Sequence, residues 1–272
     1  MKVRQALAEA ERRLSAVPGQ PRQDAELLMA AALGVGPGEM KLRHLDDPVP
    51  TAFEDLLRRR LAREPVAYIV GHAGFWTIEL EVGPGVLIPR ADSETLIEAA
   101  VDHFRGRSPV TVLDLGTGPG TLLLAALDQW PTARGLGVDR SEEALDYARR
   151  NADRLGIAER SEWGLGDWSD GIESAFDLVL CNPPYIERDA ALDPDVVEWE
   201  PHEALFAGPD GLDDYRQLAT QIERLVAPGG AACLEIGAGQ EDAVRELFAG
   251  MPFTISSRND LRGVTRCLVL RR

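Results

Sequence analysis

Val110-Thr111-Val112-Leu113-Asp114-Leu115-Gly116-Thr117-Gly118-Pro119-Gly120-Thr121 is the stretch that decides how this chain folds. Its first six residues form a largely apolar strand, the next five a glycine loop, and Leu122 to Leu127 continue as a helix. A buried strand that turns on glycines into a helix begins a βαβ unit. Glycine takes φ > 0 without penalty and lets a backbone approach a ligand closely. Pro119 suits the first turn of the helix, where no N–H partner is needed. The spacing is GxGxG, because Thr121 occupies the last place of the dinucleotide fingerprint GxGxxG. A tight strand-to-helix turn that holds no ligand would use the same residues.

Outward from this stretch the alternation continues. Ser93 to Phe104 reads as a helix, Arg134 to Val138 as a strand, and Ser141 to about Leu155 as a helix with a good N-cap. Glu162 to Leu165 is a weak strand and Phe176 to Cys181 a strong one. Asp214 to Leu225 and Gln240 to Phe248 read as helices, and Gly230 to Ile236, Phe253 to Ser257 and Val264 to Leu270 as strands. The pattern predicts an α/β fold with a mostly parallel sheet, right-handed crossovers and ligands at the carboxyl ends of the strands.

The part before residue 92 follows another period. Phe75 to Val82 nearly alternates, Gly83-Pro84-Gly85 turns, and Val86-Leu87-Ile88 runs into Pro89, which reads as a β-hairpin. Val3, Ala6, Leu7, Ala10 and Leu14 fall at helical spacing, and Asp24 opens an apolar run that stops near Gly34 and Gly36. Thr51, with Glu54 three residues on, reads as a capping box ahead of a helix from Phe53 to Ala62. The Arg58-Arg59-Arg60 cluster on that helix reads as a solvated face rather than a nucleic-acid site. The predicted organisation is a helical part at 1–72, a hairpin linker at 73–89 and an α/β part at 90–272.

Composition narrows the function. The 272 residues are 44% apolar and 27% charged, with a formal net charge of −16. A chain of this length buries about 70–75% of its unfolded surface and needs no staples. Residues 1–70 hold 11 Lys+Arg and 10 Asp+Glu, so the remainder carries the whole acidic surplus. That argues against a protein that grips duplex DNA, since phosphate neutralisation asks for a basic surplus. Cys181, Cys233 and Cys267 sit in apolar strands and read as buried reduced thiols, and the four histidines lack ligand spacing, so no metal is expected. Met1 to Leu14 has no apolar signal region and no run approaches the ~20 residues that span a bilayer. The expectation is a cytoplasmic protein without membrane contact.

Three further motifs follow predicted strands. Asp139 lies 23 residues after Gly116, where a carboxylate can take both hydroxyls of a ribose, or serve the start of the helix at Ser141. Glycine loop and acid together indicate a nucleoside ligand and leave NAD and S-adenosylmethionine open. In Gly166-Asp167-Trp168 the indole can stack on an adenine and Asp167 can accept from its amino group, unless the segment is merely a loop tip. Asn182-Pro183-Pro184-Tyr185 closes the most apolar strand. Two prolines fix φ and remove two N–H donors, leaving carbonyls held beside the Asn side chain. That offers paired acceptors for one NH₂ group, with Tyr185 to cover its flat face: a site for a planar amide or exocyclic amine.

Here the chain resembles a family. Asn182-Pro183-Pro184-Tyr185 is the hallmark of methyltransferases acting on planar nitrogens, and the chain as a whole is similar to the peptide chain release factor glutamine methyltransferases, the PrmC/HemK family. The likeness runs through Arg63-Glu64-Pro65-Val66-Ala67-Tyr68-Ile69-Val70-Gly71, Phe75-Trp76, Val86-Leu87-Ile88-Pro89-Arg90, the glycine loop and Gly166-Asp167-Trp168. It continues in Ile186, Glu200-Pro201, Ala204-Leu205, Gly208, Gly211-Leu212 and Tyr215. After Pro89-Arg90 the family usually carries Pro, Asp or Glu, Thr, Glu; here Ala91-Asp92-Ser93-Glu94 stands, a departure that reads as a detail of stability. The resemblance implies a class I, Rossmann-like methyltransferase with a seven-stranded sheet and a small N-terminal helical domain that helps grip a protein substrate. It implies S-adenosylmethionine held by Gly116, Thr117, Gly118, Pro119, Gly120, Asp139, Asp167, Trp168 and Asn182. It places catalysis and substrate binding at Asn182, Pro183, Pro184 and Tyr185, with methyl transfer to the glutamine amide of a release factor's Gly-Gly-Gln tripeptide.

An amide nitrogen is a poor nucleophile, because its lone pair is delocalised. Most of the rate must then come from near-attack positioning, worth roughly 7–11 kcal/mol. The Asn182 side-chain oxygen and the Pro183 carbonyl would each accept one N–H, and no strong base is needed. Rival readings are a glutamine methyltransferase of a ribosomal protein, an adenine-N6 DNA methyltransferase, and a non-enzymatic S-adenosylmethionine-binding scaffold. The net charge and the lack of a basic recognition segment argue against the DNA enzyme. The presence of Asn182 argues against the scaffold. An NAD oxidoreductase would need GxGxxG and a placed catalytic His, Tyr/Lys or Cys.

Overall fold

The computed structural model describes all 272 residues, which divide into two compact units: residues 1–72 with 193–199, and residues 73–192 with 200–272. The first unit is helical, with α1 (Val3–Leu14), α2 (Pro21–Leu33), α3 (Pro37–Arg43), α4 (Ala52–Leu61) and α5 (Val66–Val70). Pro21 and Pro37 open α2 and α3, and Gly34, at φ 70°, ends α2 in the left-handed turn that glycine allows. Of the expected α1 stripe, Val3, Ala6, Ala10 and Leu14 are buried in one cluster with Leu28 and Met29 of α2 and Phe53 and Leu57 of α4, and Leu7 packs half-buried against it.

Two expectations for α4 fail. Thr51 is itself in helical conformation and its side chain caps nothing. Glu54 accepts two hydrogen bonds from the Arg13 guanidinium, at 3.0 and 2.8 Å, and so cannot reach back to close a capping box. The arginine cluster is not one solvated face either. Arg60 falls on the same side of the helix as Phe53 and Leu57 and is only 5% exposed. It donates to Asp24 Oδ2 at 2.9 Å, to Asp195 Oδ2 at 2.8 Å and to the Pro18 carbonyl. Asp195 belongs to residues 193–199, which lie inside the stretch assigned by sequence to the α/β part but pack in the helical unit.

After the helical stretch, β1 (His72–Phe75) and β2 (Ile78–Glu81) form a two-stranded sheet. The hairpin turns at Trp76-Thr77, not at Gly83-Pro84-Gly85, and Val86 to Ile88 is not a strand. The turn is held from a distance. Trp76 N–H donates to Glu94 Oε1 at 2.8 Å, its indole N–H to Gln129 Oε1 at 3.2 Å, and the Thr77 hydroxyl to Asp128 Oδ2 at 2.6 Å. These bonds hold Trp76 at φ 54°, a conformation uncommon outside glycine.

The main sheet takes its strands from β3 (Thr111–Leu115), β4 (Arg134–Asp139), β5 (Ser161–Leu165), β6 (Phe176–Cys181), β7 (Val226–Glu235), β8 (Thr254–Asn259) and β9 (Thr265–Arg271). Their order is β5-β4-β3-β6-β7-β9-β8, parallel through β7 and antiparallel at β9 and β8. Interleaved are α6 (Glu94–His103), α7 (Thr121–Gln129), α8 (Glu142–Leu155), α9 (Pro194–Trp199, part of the helical unit), α10 (Asp213–Ala219), α11 (Ile222–Leu225) and α12 (Glu241–Leu247). The helix expected over Asp214 to Leu225 is broken into α10 and α11 next to Gln221, whose side chain accepts the Ser169 N–H at 3.1 Å. The three cysteines are buried and free. No helix is long and apolar enough to cross a membrane.

The chain reverses direction across the sheet between β3 and β6, the place where open α/β sheets leave a crevice at their carboxyl ends. Register makes that crevice specific. Leu115 pairs with both Val138 and Cys181, so Gly116, Asp139 and Asn182 emerge level with one another. Asp139 pairs with Leu165, which brings Gly166 to the same edge, and Cys181 pairs with Leu234, which brings Glu235 level with Asn182.

Candidate active site

A cleft opens at this edge, lined by Gly116, Thr117, Gly118, Pro119, Asp139, Asp167, Trp168, Asn182 and Pro184 of the sequence-predicted set. Gly120, Pro183 and Tyr185 are not on its wall. Gly120 answers to packing instead: a Cβ there would stand 2.8 Å from Leu124 Cδ1 and 3.2 Å from the Trp163 ring, and its φ is 87°.

The glycine loop is clamped from below. Gly116 and Thr117 N–H groups donate to the Val138 carbonyl at 2.9 and 3.0 Å, and Gly118 N–H to Asp139 Oδ2 at 2.8 Å. The other Asp139 oxygen accepts the Ser141 N–H at 2.9 Å. Asp139 therefore does serve the start of α8, yet each oxygen keeps a lone pair for a ligand hydroxyl. Trp168, at φ 51°, lays its ring over the loop, so that a Cβ on Gly116 would stand 3.4 Å from it.

Asp114 was not among the predicted site residues. It is 1% exposed in the floor of the cleft, where its Oδ2 accepts Thr117 Oγ1 at 2.6 Å and Leu123 N–H at 3.1 Å. Burial pushes its carboxyl up to about 7. Its Oδ1 has no partner. An acid interrupting an apolar strand just before a glycine loop was the available signal. Asp214 also lines the cleft, and burial raises its carboxyl as well.

At the other end of the cleft Asn182 Nδ2 donates to Ser93 Oγ at 3.2 Å, which leaves Oδ1 as the free end of the amide. Tyr185 does not cover the cleft; its hydroxyl donates to Glu235 Oε1 at 3.1 Å. Burial and the neighbouring Glu235 hold the phenol above its ordinary range. Glu200, 4% exposed, accepts the Ile88 N–H at 3.1 Å and pairs with Arg90, fixing the segment that carries Leu87 and Pro89 along the wall.

An orphaned buried carboxyl oxygen, a loop of positive-φ glycines, a carboxylate with spare lone pairs and an indole over the loop fit S-adenosylmethionine. The sheet order and this cleft define a Rossmann-like methyltransferase. Residues 107–251 match the methyltransferase domain family, and solved structures share the fold. A ribosomal protein L11 methylase from Lactobacillus delbrueckii subsp. bulgaricus superposes with TM-score 0.53 at 19% identity, over 71% of this chain and 85% of that one. A methyltransferase from Pyrococcus furiosus gives 0.55 at 16%, over 80% and 98%.

Residues 5–71 match the PrmC N-terminal domain family. The release factor glutamine methyltransferase of Rhodospirillum rubrum is 44% identical over 93% of this chain and 79% of its own length. Those of Cereibacter sphaeroides (42%, over 100% and 99%) and Pseudomonas aeruginosa (41%, over 93% and 94%) are similarly close. The chain belongs to the release factor glutamine methyltransferase family.

Proposed function

We propose that this protein methylates the side-chain amide nitrogen of the glutamine in the Gly-Gly-Gln tripeptide of peptide chain release factors, with S-adenosylmethionine as donor. The observation that carries the reading is Asn182: its Nδ2 is engaged by Ser93, so its Oδ1 is the acceptor presented at the carboxyl ends of β3 and β6, where the order of strands reverses. S-adenosylmethionine supplies a methyl group activated by its sulfonium. The glycine loop, Asp139 and Trp168 hold the nucleoside, and Asp167 accepts from the adenine amino group.

The protein's own task is orientation. Asn182 Oδ1 accepts an N–H of the substrate amide and sets the amide plane so that the nitrogen lone pair faces the methyl; Pro183, whose carbonyl was expected to take the other N–H, is buried and off the cleft wall. Positive charge then grows on nitrogen beside that acceptor. The methylated, cationic nitrogen gives up its proton to solvent after transfer, so no strong base is required. Removing water and fixing the approach supplies most of the acceleration.

The helical unit, residues 1–72, grips the protein substrate in this reading. Its near-balanced charge against the acidic remainder supports a separate docking role. The test is transfer of labelled methyl from S-adenosylmethionine into purified release factor, with the site located by peptide mass. Label on the tripeptide glutamine is the expected result, and label elsewhere or on a ribosomal protein alone would overturn it.

A further inference from the structure

Pro183 and Pro184 have no N–H to donate, so the chain between the end of β6 at Cys181 and the backbone bonds of Ile186 has little main-chain bonding of its own. Ile186 N–H donates to the Leu205 carbonyl at 3.0 Å, and the Ile186 carbonyl accepts the Ala207 N–H at 2.9 Å. Between these two points a side chain holds the motif. Gln240 Nε2 donates to the Tyr185 carbonyl at 3.0 Å and to the Gly211 carbonyl at 3.4 Å, while Gln240 Oε1 accepts the Gly237 N–H at 3.0 Å. One amide thus ties together the end of the motif, the approach to α10 and the exit of β7.

The sense of these bonds is fixed. A backbone N–H can only donate, so the atom facing Gly237 is the amide oxygen, and the NH₂ is left for the two carbonyls. The backbone closes round the amide at two glycines. A Cβ on Gly237 would stand 2.5 Å from Gln240 Oε1. One on Gly211, at φ 69°, would stand 2.9 Å from Gln240 Nε2 and run into the Tyr185 carbonyl. Gln240 is also the residue before α12, where Ser, Thr, Asp or Asn ordinarily caps a helix, yet its side chain caps nothing there. The side chain is committed to the motif instead, and it forms no part of the cleft wall.

A displaced Tyr185 peptide would not be absorbed locally. Each proline fixes its own φ and restricts the residue before it, so Asn182 to Tyr185 behaves as a stiff arm. One end carries Asn182, with Pro184 beside it on the cleft wall. The other end is held at the Tyr185 carbonyl by Gln240 and at the Tyr185 hydroxyl by Glu235. We infer that Gln240 is a positioning residue for methyl transfer: by pinning the Tyr185 carbonyl it sets the angle at which Asn182 presents its oxygen to the substrate amide.

The inference rests on the reading of Asn182 as the group that orients the substrate amide, and a double-mutant cycle separates the two. Full-length Gln240→Ala, Gln240→Glu, Asn182→Ala and the Gln240→Ala/Asn182→Ala pair are compared with the parent. The readouts are kcat and KM on intact release factor between pH 5 and pH 8, and cofactor affinity by calorimetry. Gln240→Ala is expected to lose about tenfold in kcat at every pH, the scale of one hydrogen bond, with cofactor affinity within about threefold. Gln240→Glu keeps the shape and the acceptor for the Gly237 N–H. At pH 8 its carboxylate would face two carbonyls, and kcat is expected to fall about tenfold or more. Those carbonyls favour the protonated carboxyl, which donates to Tyr185 again, so kcat relative to the parent is expected to recover about fivefold or more by pH 5. Glu235, and Glu241 with its partner Arg245 at 2.8 Å, are common to parent and variants, so the ratio at each pH is the quantity to read. In the Asn182→Ala background, Gln240→Ala is expected to cost nothing further, because its effect runs through that residue. Unchanged kcat in folded Gln240→Ala, a Gln240→Glu ratio that does not move with pH, or losses that multiply with that of Asn182→Ala, would overturn the inference. Full activity in Asn182→Ala would instead overturn the reading of Asn182 beneath it. Should Gln240→Ala fail to fold, the pH response of Gln240→Glu decides alone.

Discussion

Arg60 and Asp195 stand 135 residues apart in sequence and meet at 2.8 Å inside the helical unit. Asp24 accepts from the other side of the same guanidinium at 2.9 Å, and Arg63 also pairs with Asp195. Burial works against the Asp195 charge, yet the two arginines hold its carboxyl below the ordinary range. Removing one partner of a buried ion pair strands the others. Arg60→Ala is therefore expected to lower the unfolding free energy by about 3–5 kcal/mol. Urea denaturation of the full chain measures this, and a loss under about 0.5 kcal/mol, the range of ordinary surface substitutions, would show the clasp to be energetically neutral.

Asp139 takes the Gly118 and Ser141 N–H groups at 2.8 and 2.9 Å, so it organises the loop as well as facing the cleft. Asp139→Ala is expected to weaken S-adenosylmethionine binding by about 1.5–3 kcal/mol, the scale of a hydrogen bond to a charged group. Calorimetry on the purified variant reads it directly. Asp139→Asn should recover part of the loss, because one amide oxygen still accepts the Gly118 N–H. Equal affinity in all three proteins would place the ribose elsewhere.

The sheet and its ligand edge were legible because long apolar strands such as 110–115 and 176–181 and their loop residues are local signals. The elements that were misread depend on distant partners. The hairpin turn at Trp76 is set by Glu94, Asp128 and Gln129, none of them near it in sequence. Arg60 looks like its neighbours Arg58 and Arg59 until the helix turns it towards Asp24 and Asp195. The packing of residues 193–199 in the helical unit carries no local signature. Tyr185 was expected over the substrate and is turned to Glu235, a residue that in sequence is only a polar end to an apolar strand. Motif recognition found residues that line the cleft more readily than those that hold them in place.

Asp114 and Glu235 predict an unusual pH response. Burial raises both carboxyls to about 7, from ordinary values of 3.8 and 4.5. A raised carboxyl binds its proton more tightly when folded, so its contribution is complete below the unfolded value and is lost as pH rises through about 7. Each group accounts for on the order of 3 kcal/mol over that interval. Asp195, held low, acts in the opposite sense and loses its contribution as pH falls through its folded value. The ligand-free protein should accordingly be more stable near pH 5 than at pH 8. Glu235→Gln should flatten that slope and exceed the parent at pH 8. Parallel denaturation curves at the two pH values would show that the Glu235 carboxyl does not titrate near neutrality.

Asn182 allows the sharpest test of the proposed chemistry. If its Oδ1 orients the substrate amide chiefly in the transition state, its loss must lower turnover more than cofactor affinity. Removing one preorganised polar partner of this kind costs about 10²–10³ in rate, roughly 2.7–4 kcal/mol. Asn182→Ala should therefore bind S-adenosylmethionine within a few-fold of the parent and turn over about a hundredfold more slowly. Asn182→Asp separates geometry from charge. It keeps an acceptor of nearly the same volume, but exchanges the NH₂ that meets Ser93 Oγ at 3.2 Å for a carboxylate oxygen, towards which the serine hydroxyl must turn as donor. It also adds a negative charge beside the sulfonium, which would tighten ground-state binding without helping the transition state. The expected pattern is equal or tighter cofactor binding with turnover still clearly impaired, measured by calorimetry and by single-turnover methyl transfer. Near-parental turnover in both variants would make Asn182 structural and would move the reacting centre away from this strand end.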